Sequence, residues 1–164
     1  MLSKDFYTNI FIIRHGTPKY PRDKDGRRLI YGSEVSLSEV GKQQAKDIAQ
    51  RLPRLEKIYS STYRRAMQTA KIIARSHTIS PIISVPELVD IIARGSIGFP
   101  LDDILAGIII PPQLQNDETM KDVEKRTIPA FRKILSEARG TSIAIIGHGH
   151  GIRLIAYRLI EKRK

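Results

Sequence analysis

Two histidines in this chain stand directly after β-branched runs and next to glycine. Asn9-Ile-Phe-Ile-Ile13 leads into Arg14-His15-Gly16, and Ser142-Ile-Ala-Ile-Ile-Gly147 leads into His148-Gly149-His150-Gly151. A third short apolar run, Lys57–Ser60, leads into Ser61-Thr62-Tyr63-Arg64-Arg65, and a fourth, Ile82–Val85, into Pro86-Glu87-Leu88-Val89-Asp90. If all four runs are strands of one parallel sheet, their trailing residues share its carboxyl edge, where ligands of such sheets bind. That edge then holds two imidazoles, arginines and a carboxylate.

The combination has a defined chemistry. Guanidinium forks match phosphate oxygens and stay charged at any working pH. A neutral imidazole nitrogen attacks phosphorus, and a second imidazole donates to the non-bridging oxygens. A carboxyl group protonates a leaving alkoxide and then activates water. Phosphoryl transfer asks mainly for positioning and charge neutralisation, which fixed cations provide without a metal. A metal role for the His148/His150 pair is disfavoured, because no carboxylate–histidine cluster at ligand spacing accompanies it and Gly149 and Gly151 imply a turn.

The elements that must position these residues follow from periodicity. Ser38–Leu52 reads as an amphipathic helix with Val40, Ala45, Ile48, Ala49 and Leu52 inward, Pro53 as its stop and Ser36 or Ser38 as its cap, Ser36 with Glu39 fitting a capping box. Thr62–His77 is a second helix, and Asp117–Arg139 a long third one that Pro129 should kink or divide, with Met120, Val123, Phe131 and Ile134 on its inner side and Gly140 beyond its end. Ile152–Ile160 is the last. Lys19–Ser36 is a basic, turn-rich loop, either a solvated surface or an approach for a phosphorylated substrate. Glu87–Leu114 is loop with one short helix near Leu101–Ala106, and Ile104–Ile110 is lid packing or core. The alternation of strands and helices predicts an α/β fold: a mostly parallel central sheet with helices on both faces, in one domain spanning 1–164.

Composition narrows the partners. The 164 residues carry 28 Lys+Arg against 17 Asp+Glu, a net charge of +11, which favours anionic partners. With no Trp, ten other aromatics (six Tyr, four Phe) and scattered basic residues, a nucleic-acid platform is not expected. The absence of Cys excludes disulfides, thiol nucleophiles and cysteine-held metals. No apolar run reaches a membrane span and no signal peptide is visible, so no membrane partner and a cytoplasmic location are expected.

The blocks together resemble the histidine phosphatase superfamily, the phosphoglycerate mutase-like proteins. Arg14-His15-Gly16 is similar to its first signature, Leu37-Ser38-Glu39-Val40-Gly41-Lys42-Gln43-Gln44-Ala45 to its Leu-Thr-x-x-Gly-x-x-Gln-Ala helix start, and Arg65-Ala66-Met67-Gln68-Thr69-Ala70 to its Arg-Ala-x-Gln-Thr-Ala block. Glu118-Thr119 through Arg126 resembles its Glu-Ser…Arg stretch, and His148-Gly149-His150-Gly151-Ile152-Arg153 its His-Gly-Gly-x-Ile-Arg motif. The resemblance implies the three-layer phosphoglycerate mutase-like sandwich, a phosphohistidine on His15, phosphoryl binding by Arg14 and Arg65 with His148 completing the pocket, and neither cofactor nor metal. It assigns the acid to Asp90, eight residues before Gly98, with Glu87 as the rival. This chain departs from the pattern at Thr17-Pro18, at Ser96-Ile97 and at His150, which stands for the second glycine; these departures bear on substrate choice. The implied activity is metal-independent hydrolysis of phosphate monoesters or of a phosphorylated protein side chain. Mutase-type phosphoryl transfer and a non-catalytic phosphate-binding module are the alternatives.

Overall fold

The computed structural model describes residues 7–78, 81–92, 94–102, 106 and 117–161. Four strands, β1 (Asn9–Arg14), β2 (Lys57–Ser60), β3 (Ile83–Ser84) and β4 (Ser142–Gly147), form one sheet in the order β1-β4-β2-β3, with every pair parallel. The helices are α1 (Glu39–Arg51), α2 (Arg64–His77), α3 (Met120–Glu137) and α4 (Gly149–Glu161). The sheet is therefore parallel and the helices cover both faces, as expected.

Side-chain alternation along β4 shows how the layers arise. Ala144 and Ile146 join Ile58, Ala49, Ala66, Ala70 and Ile73 in one core, against α1 and α2. Ile143 and Ile145 join Tyr59, Phe131, Ile134 and Ile155 in the other, against α3 and α4. A strand buried on both faces has to be apolar at every position, which accounts for the unbroken Ile-Ala-Ile-Ile run. Alanines on α1 and α2 let both helices lie close to the sheet.

Several local expectations are corrected. Ser38, not Ser36, caps α1, its hydroxyl accepting from the Gly41 amide at 3.0 Å. The reciprocal capping box sits instead on α3, between Thr119 and Asp122. Val40 and Met120 are exposed rather than inward, because each lies in the first turn of its helix, before the packed stretch begins. The third strand shrinks to Ile83–Ser84. Helix α3 runs through Pro129 without dividing. Proline removes one backbone donor there, but buried Ile128 and Phe131 hold both sides of it in place. Helix α4 begins at Gly149, earlier than apolar periodicity indicates, and no turn separates it from β4. Of the expected Leu101–Ala106 helix, Leu101 and Asp102 are helical and 103–105 lie outside the described residues, as does most of the Ile104–Ile110 run.

Candidate functional site

Strand order alone brings the candidate residues together. Arg14 pairs in register with Gly147, so His15 and His148 emerge side by side from adjacent strands, and the His15 amide donates to the Gly147 carbonyl at 3.1 Å. The imidazole rings lie 4.9 Å apart, centre to centre. The next strand, β2, delivers Ser61 and Arg65, and the outer one, β3, delivers Asp90. Four segments distant in sequence thus become neighbours along one edge.

The loop after β1 is pinned by residues of the helix motifs. Gly16 and Gly41 touch back to back: a Cβ on Gly16 would meet the Gly41 carbonyl oxygen at 2.3 Å, and one on Gly41 the Thr17 oxygen at 2.1 Å. Neither position tolerates a side chain. The Gly16 amide donates to Thr69 Oγ1 at 3.2 Å, the Thr17 amide to Gln44 Oε1 at 2.8 Å, and the Leu37 amide to Gln68 Oε1 at 2.7 Å. Gln44, Gln68 and Thr69, which chemistry alone does not single out, fasten His15 to α1 and α2.

The hydrogen bonds fix the state of His15. Nδ1 lies 2.8 Å from the Gly16 carbonyl, which can only accept, so Nδ1 carries the proton. Nε2 keeps its lone pair and accepts from Arg65 Nε at 3.2 Å. Burial, aided by the nearby Arg65 and Arg14 charges, pulls the ring down to about 4, so it is neutral at physiological pH.

Arg65 is 2% exposed. Besides His15 it donates to the Gly32 carbonyl at 2.9 Å and stands 3.6 Å from Asp90 Oδ2, with Tyr31 and Tyr63 rings covering it at 4.8 and 5.0 Å. Burial draws its pKa downward, yet a guanidinium retains its charge. Arg14 is the opposite: it is exposed, and among the described residues its guanidinium has no hydrogen-bond partner. It borders the hollow that holds His15 and the first turn of α4 at Gly149.

His148 is buried, its Nε2 paired with Ser61 Oγ at 2.9 Å. That oxygen also accepts from the Tyr63 amide at 3.3 Å, and the Asp90 carboxylate facing Nδ1 draws the ring proton to that side, so Nε2 accepts from the Ser61 hydroxyl. Nδ1 then bears the hydrogen, and it has no hydrogen-bond partner; Asp90 Oδ2 is 3.6 Å away. Burial pushes the His148 pKa to about 2, and the ring is neutral. A buried donor left open toward the site suits an acceptor brought by a ligand.

Asp90 takes its place through a clamp. Arg126 pairs in two-pronged fashion with Glu118 at 2.9 and 2.7 Å and donates to the carbonyls of Glu87, Val89 and Asp90 at 2.7–2.9 Å. The Glu118…Arg126 stretch is therefore the brace of the Asp90 loop. Burial alone would raise the Asp90 pKa. The hydrogen bond from His150, the neighbouring imidazoles and the Ile91 amide outweigh it and hold the carboxyl at about 2. Glu87 points elsewhere: it is exposed and lines a separate hollow with Lys133 and Glu137, so it does not reach the imidazoles.

His150 joins the cluster, its Nδ1 3.0 Å from Asp90 Oδ1. This corrects the turn reading: the first turn of α4 aims His150 at Asp90. Its position in place of the family's glycine is the one sequence signal that marks it. No group of three or more His, Cys, Asp or Glu suited to a metal occurs among the described residues. The basic loop is largely self-paired, with Arg22 on the Gly26 carbonyl, Arg27 on Asp23 and Arg28 on Asp102. Arg22 and Arg27 lie at the solvated surface, whereas Tyr20, Ile30, Tyr31 and Gly32 of the same loop line the site's cavity. Among the described residues no helix is long and apolar enough to cross a membrane.

Arg14, Arg65, Asp90 and His150 line a cavity of about 310 Å³, and Arg14 also borders an adjoining hollow that contains His15. The model of the histidine phosphatase superfamily (branch 1) matches residues 10–98 and 106–163. A metal-independent phosphoserine phosphatase of Arabidopsis thaliana is 29% identical over 172 residues, which cover 94% of this chain and 69% of the plant protein. The phosphoglycerate mutase-like protein 4 of the same plant is 40% identical over 72 residues, 42% of this chain and 30% of its own length. Among solved structures, Bacillus stearothermophilus YhfR superposes with a TM-score of 0.78 at 26% identity, covering 94% of this chain and 81% of that one.

Proposed function

This chain belongs to the histidine phosphatase superfamily, and we propose that it hydrolyses phosphate monoesters of small molecules through a phosphohistidine on His15. It is an enzyme of the phosphoric monoester hydrolase type. The phosphatase relative matches 94% of this chain and the mutase-like one 42%, so hydrolysis rather than transfer to a second hydroxyl is the reading.

The observation that carries the mechanism is the tautomer of His15. Its Nε2 lone pair faces Arg65, the place a phosphoryl group must occupy, while Nδ1–H is tied to the Gly16 carbonyl. The ester binds with its oxygens on Arg14, Arg65 and the open Nδ1–H of His148. Nε2 attacks phosphorus in line, the P–N bond forms, and the P–O bond to the leaving group breaks. A proton passes to the departing alkoxide through Asp90. Asp90 then takes a proton from water, whose oxygen attacks the phosphohistidine and releases inorganic phosphate.

Asp90 is ionised in the free protein, so its proton must come with the substrate. A phosphate monoester has a second pKa of about 6. Bound beside Asp90 and competing for the same cations, the phosphoryl group raises the carboxylate's affinity for that proton. His150 is a positioning residue here: it ties down Oδ1 and leaves Oδ2 toward Arg65 and His148.

The test is rapid quenching with p-nitrophenyl phosphate followed by mapping of the labile phosphoryl group. The expected result is label on His15 and a loss of turnover of about 10⁴-fold or more in His15→Ala. Label on another side chain, or turnover surviving in His15→Ala, would overturn the reading.

A further inference from the structure

The walls of the cavity differ in kind from its floor. Above Arg14, Arg65, Asp90 and His150, the lining is Tyr20, Tyr31, Ile30, Ile92, Ile97 and Leu101 among others, and all of the others are apolar, aromatic or glycine. Apart from Arg14 and Arg65, no described lysine or arginine lines it. A cation next to this wall, Arg28, lies over the Tyr20 ring and is tied to Asp102 at 2.7 Å. His150 spends its Nδ1 on Asp90.

The wall is also preformed. The Ile30 amide donates to the Phe99 carbonyl at 2.9 Å and the Gly98 amide to the Ile30 carbonyl at 3.0 Å, so the loop after β1 and the loop after Asp90 are zipped together. Tyr20 and Tyr31 meet edge to face at 5.6 Å. Ile97 remains 50% exposed at the lip, although a lone exposed isoleucine beside a cavity gains nothing from water. A small, preformed pocket with an ionic floor and apolar sides selects a ligand of matching make-up.

Resting on the phosphatase reading, we infer that the preferred substrates are phosphate monoesters whose organic part is uncharged and apolar or aromatic. Esters carrying a carboxylate or ammonium next to the phosphate, such as phosphoserine or 3-phosphoglycerate, are disfavoured. A carboxylate held among these side chains loses its hydration and meets no cation that the phosphoryl group has not already engaged. An apolar group gains by burial there, at no cost to a buried charge. Ser96 turns inward to Asp117, Oγ to Oδ2 at 2.5 Å, and Ile97 is left to form the lip.

The experiment compares benzyl phosphate with phosphoserine and 3-phosphoglycerate. All three lose an alkoxide, so the intrinsic reactivity of aryl esters does not enter. The expected result is a kcat/KM for benzyl phosphate at least about tenfold above either acidic ester, the scale on which pockets discriminate by apolar contact. Ile97→Lys, at a half-exposed site that accommodates lysine without disturbing the core, narrows that ratio to about threefold or less, lowering the benzyl rate and raising the acidic ones. Equal or better turnover of phosphoserine by the wild type overturns the inference and leaves the phosphatase reading intact. A ratio unmoved by Ile97→Lys overturns it as well. If no ester turns over, the phosphatase reading fails and takes the inference with it.

Discussion

The floor and the wall of the cavity are built by opposite means. At the floor Arg65 is buried, and so are His15 and His148 beside it, each tethered by at least one hydrogen bond and carried by strands of fixed register. The wall comes from two loops joined by backbone hydrogen bonds and side chains with no tether beyond ring contacts. A phosphoryl group is the same in every substrate, so its cage can be rigid. The organic part varies, so its contacts sit where sequence changes disturb no core. Arg14 and Arg65 repeat the contrast within the floor. One is exposed and unbonded, ready to close on an anion; the other is buried and already engaged.

On that division, damage to the groups that hold the phosphoryl lowers kcat for every substrate, damage to Asp90 is felt according to how much the leaving group needs a proton, and damage to the wall changes only the ranking of the organic parts. Arg65→Ala is the severest case after loss of the nucleophile: it removes a phosphoryl fork and the donor that orients Nε2. Losses of about 10³-fold in kcat are expected for benzyl and p-nitrophenyl phosphate alike. A loss that fell on one ester only would dissolve the distinction.

Asp90→Asn comes next. About 10²-fold or more is expected on benzyl phosphate, whose alkoxide needs a proton, and much less on p-nitrophenyl phosphate, whose leaving group does not. Equal losses on both would place Asp90 outside proton transfer.

The pH dependence sharpens the same point. His15 must be neutral, so kcat/KM climbs as pH rises through about 4, where its ring loses the proton. The monoester must carry a proton because Asp90, at about 2, does not, so kcat/KM declines above about pH 6. An optimum in alkaline solution would contradict the need for a proton on the monoester, and activity that kept rising as pH fell below about 4 would contradict the neutral His15.

His150→Ala is the mildest change. It removes the donor to Asp90 Oδ1, so the carboxylate in the complex holds its proton more tightly. The descending limb of the kcat profile should move to higher pH, with kcat lower by about tenfold and KM nearly unchanged. His150→Asn, which restores a donor, should recover the wild-type profile; an unmoved limb would reduce His150 to a bystander.

Some of this could be read without coordinates. The strands before His15 and His148 were visible as short β-branched runs, since a strand covered on both faces must be apolar, whereas the Lys57–Ser60 strand before Arg65 shows only Ile58 and Tyr59 between polar ends. Parallel pairing followed from the alternation with helices. The local chain did not carry enough information at Glu87 and Asp90: both trail the same strand three residues apart, and only the Arg126 brace turns one inward and leaves the other outside. The cap of α1 was likewise ambiguous between two serines until the chain's path past Thr17 selected Ser38, whose amide donates to the Thr17 carbonyl at 2.9 Å.

By itself, then, the order of residues determined which chemical groups this protein owns and which strand each one follows, because burial periodicity and side-chain type are local properties. What depended on the tertiary structure was strand order. Placing β4 between β1 and β2 sets His148 beside His15 and Arg65 next to both, and it turns His150 from a residue in a glycine-rich motif into the partner of the acid. Those contacts span fifty residues of chain or more, and no property of a single segment encodes them; they form as both apolar faces of the one sheet are buried.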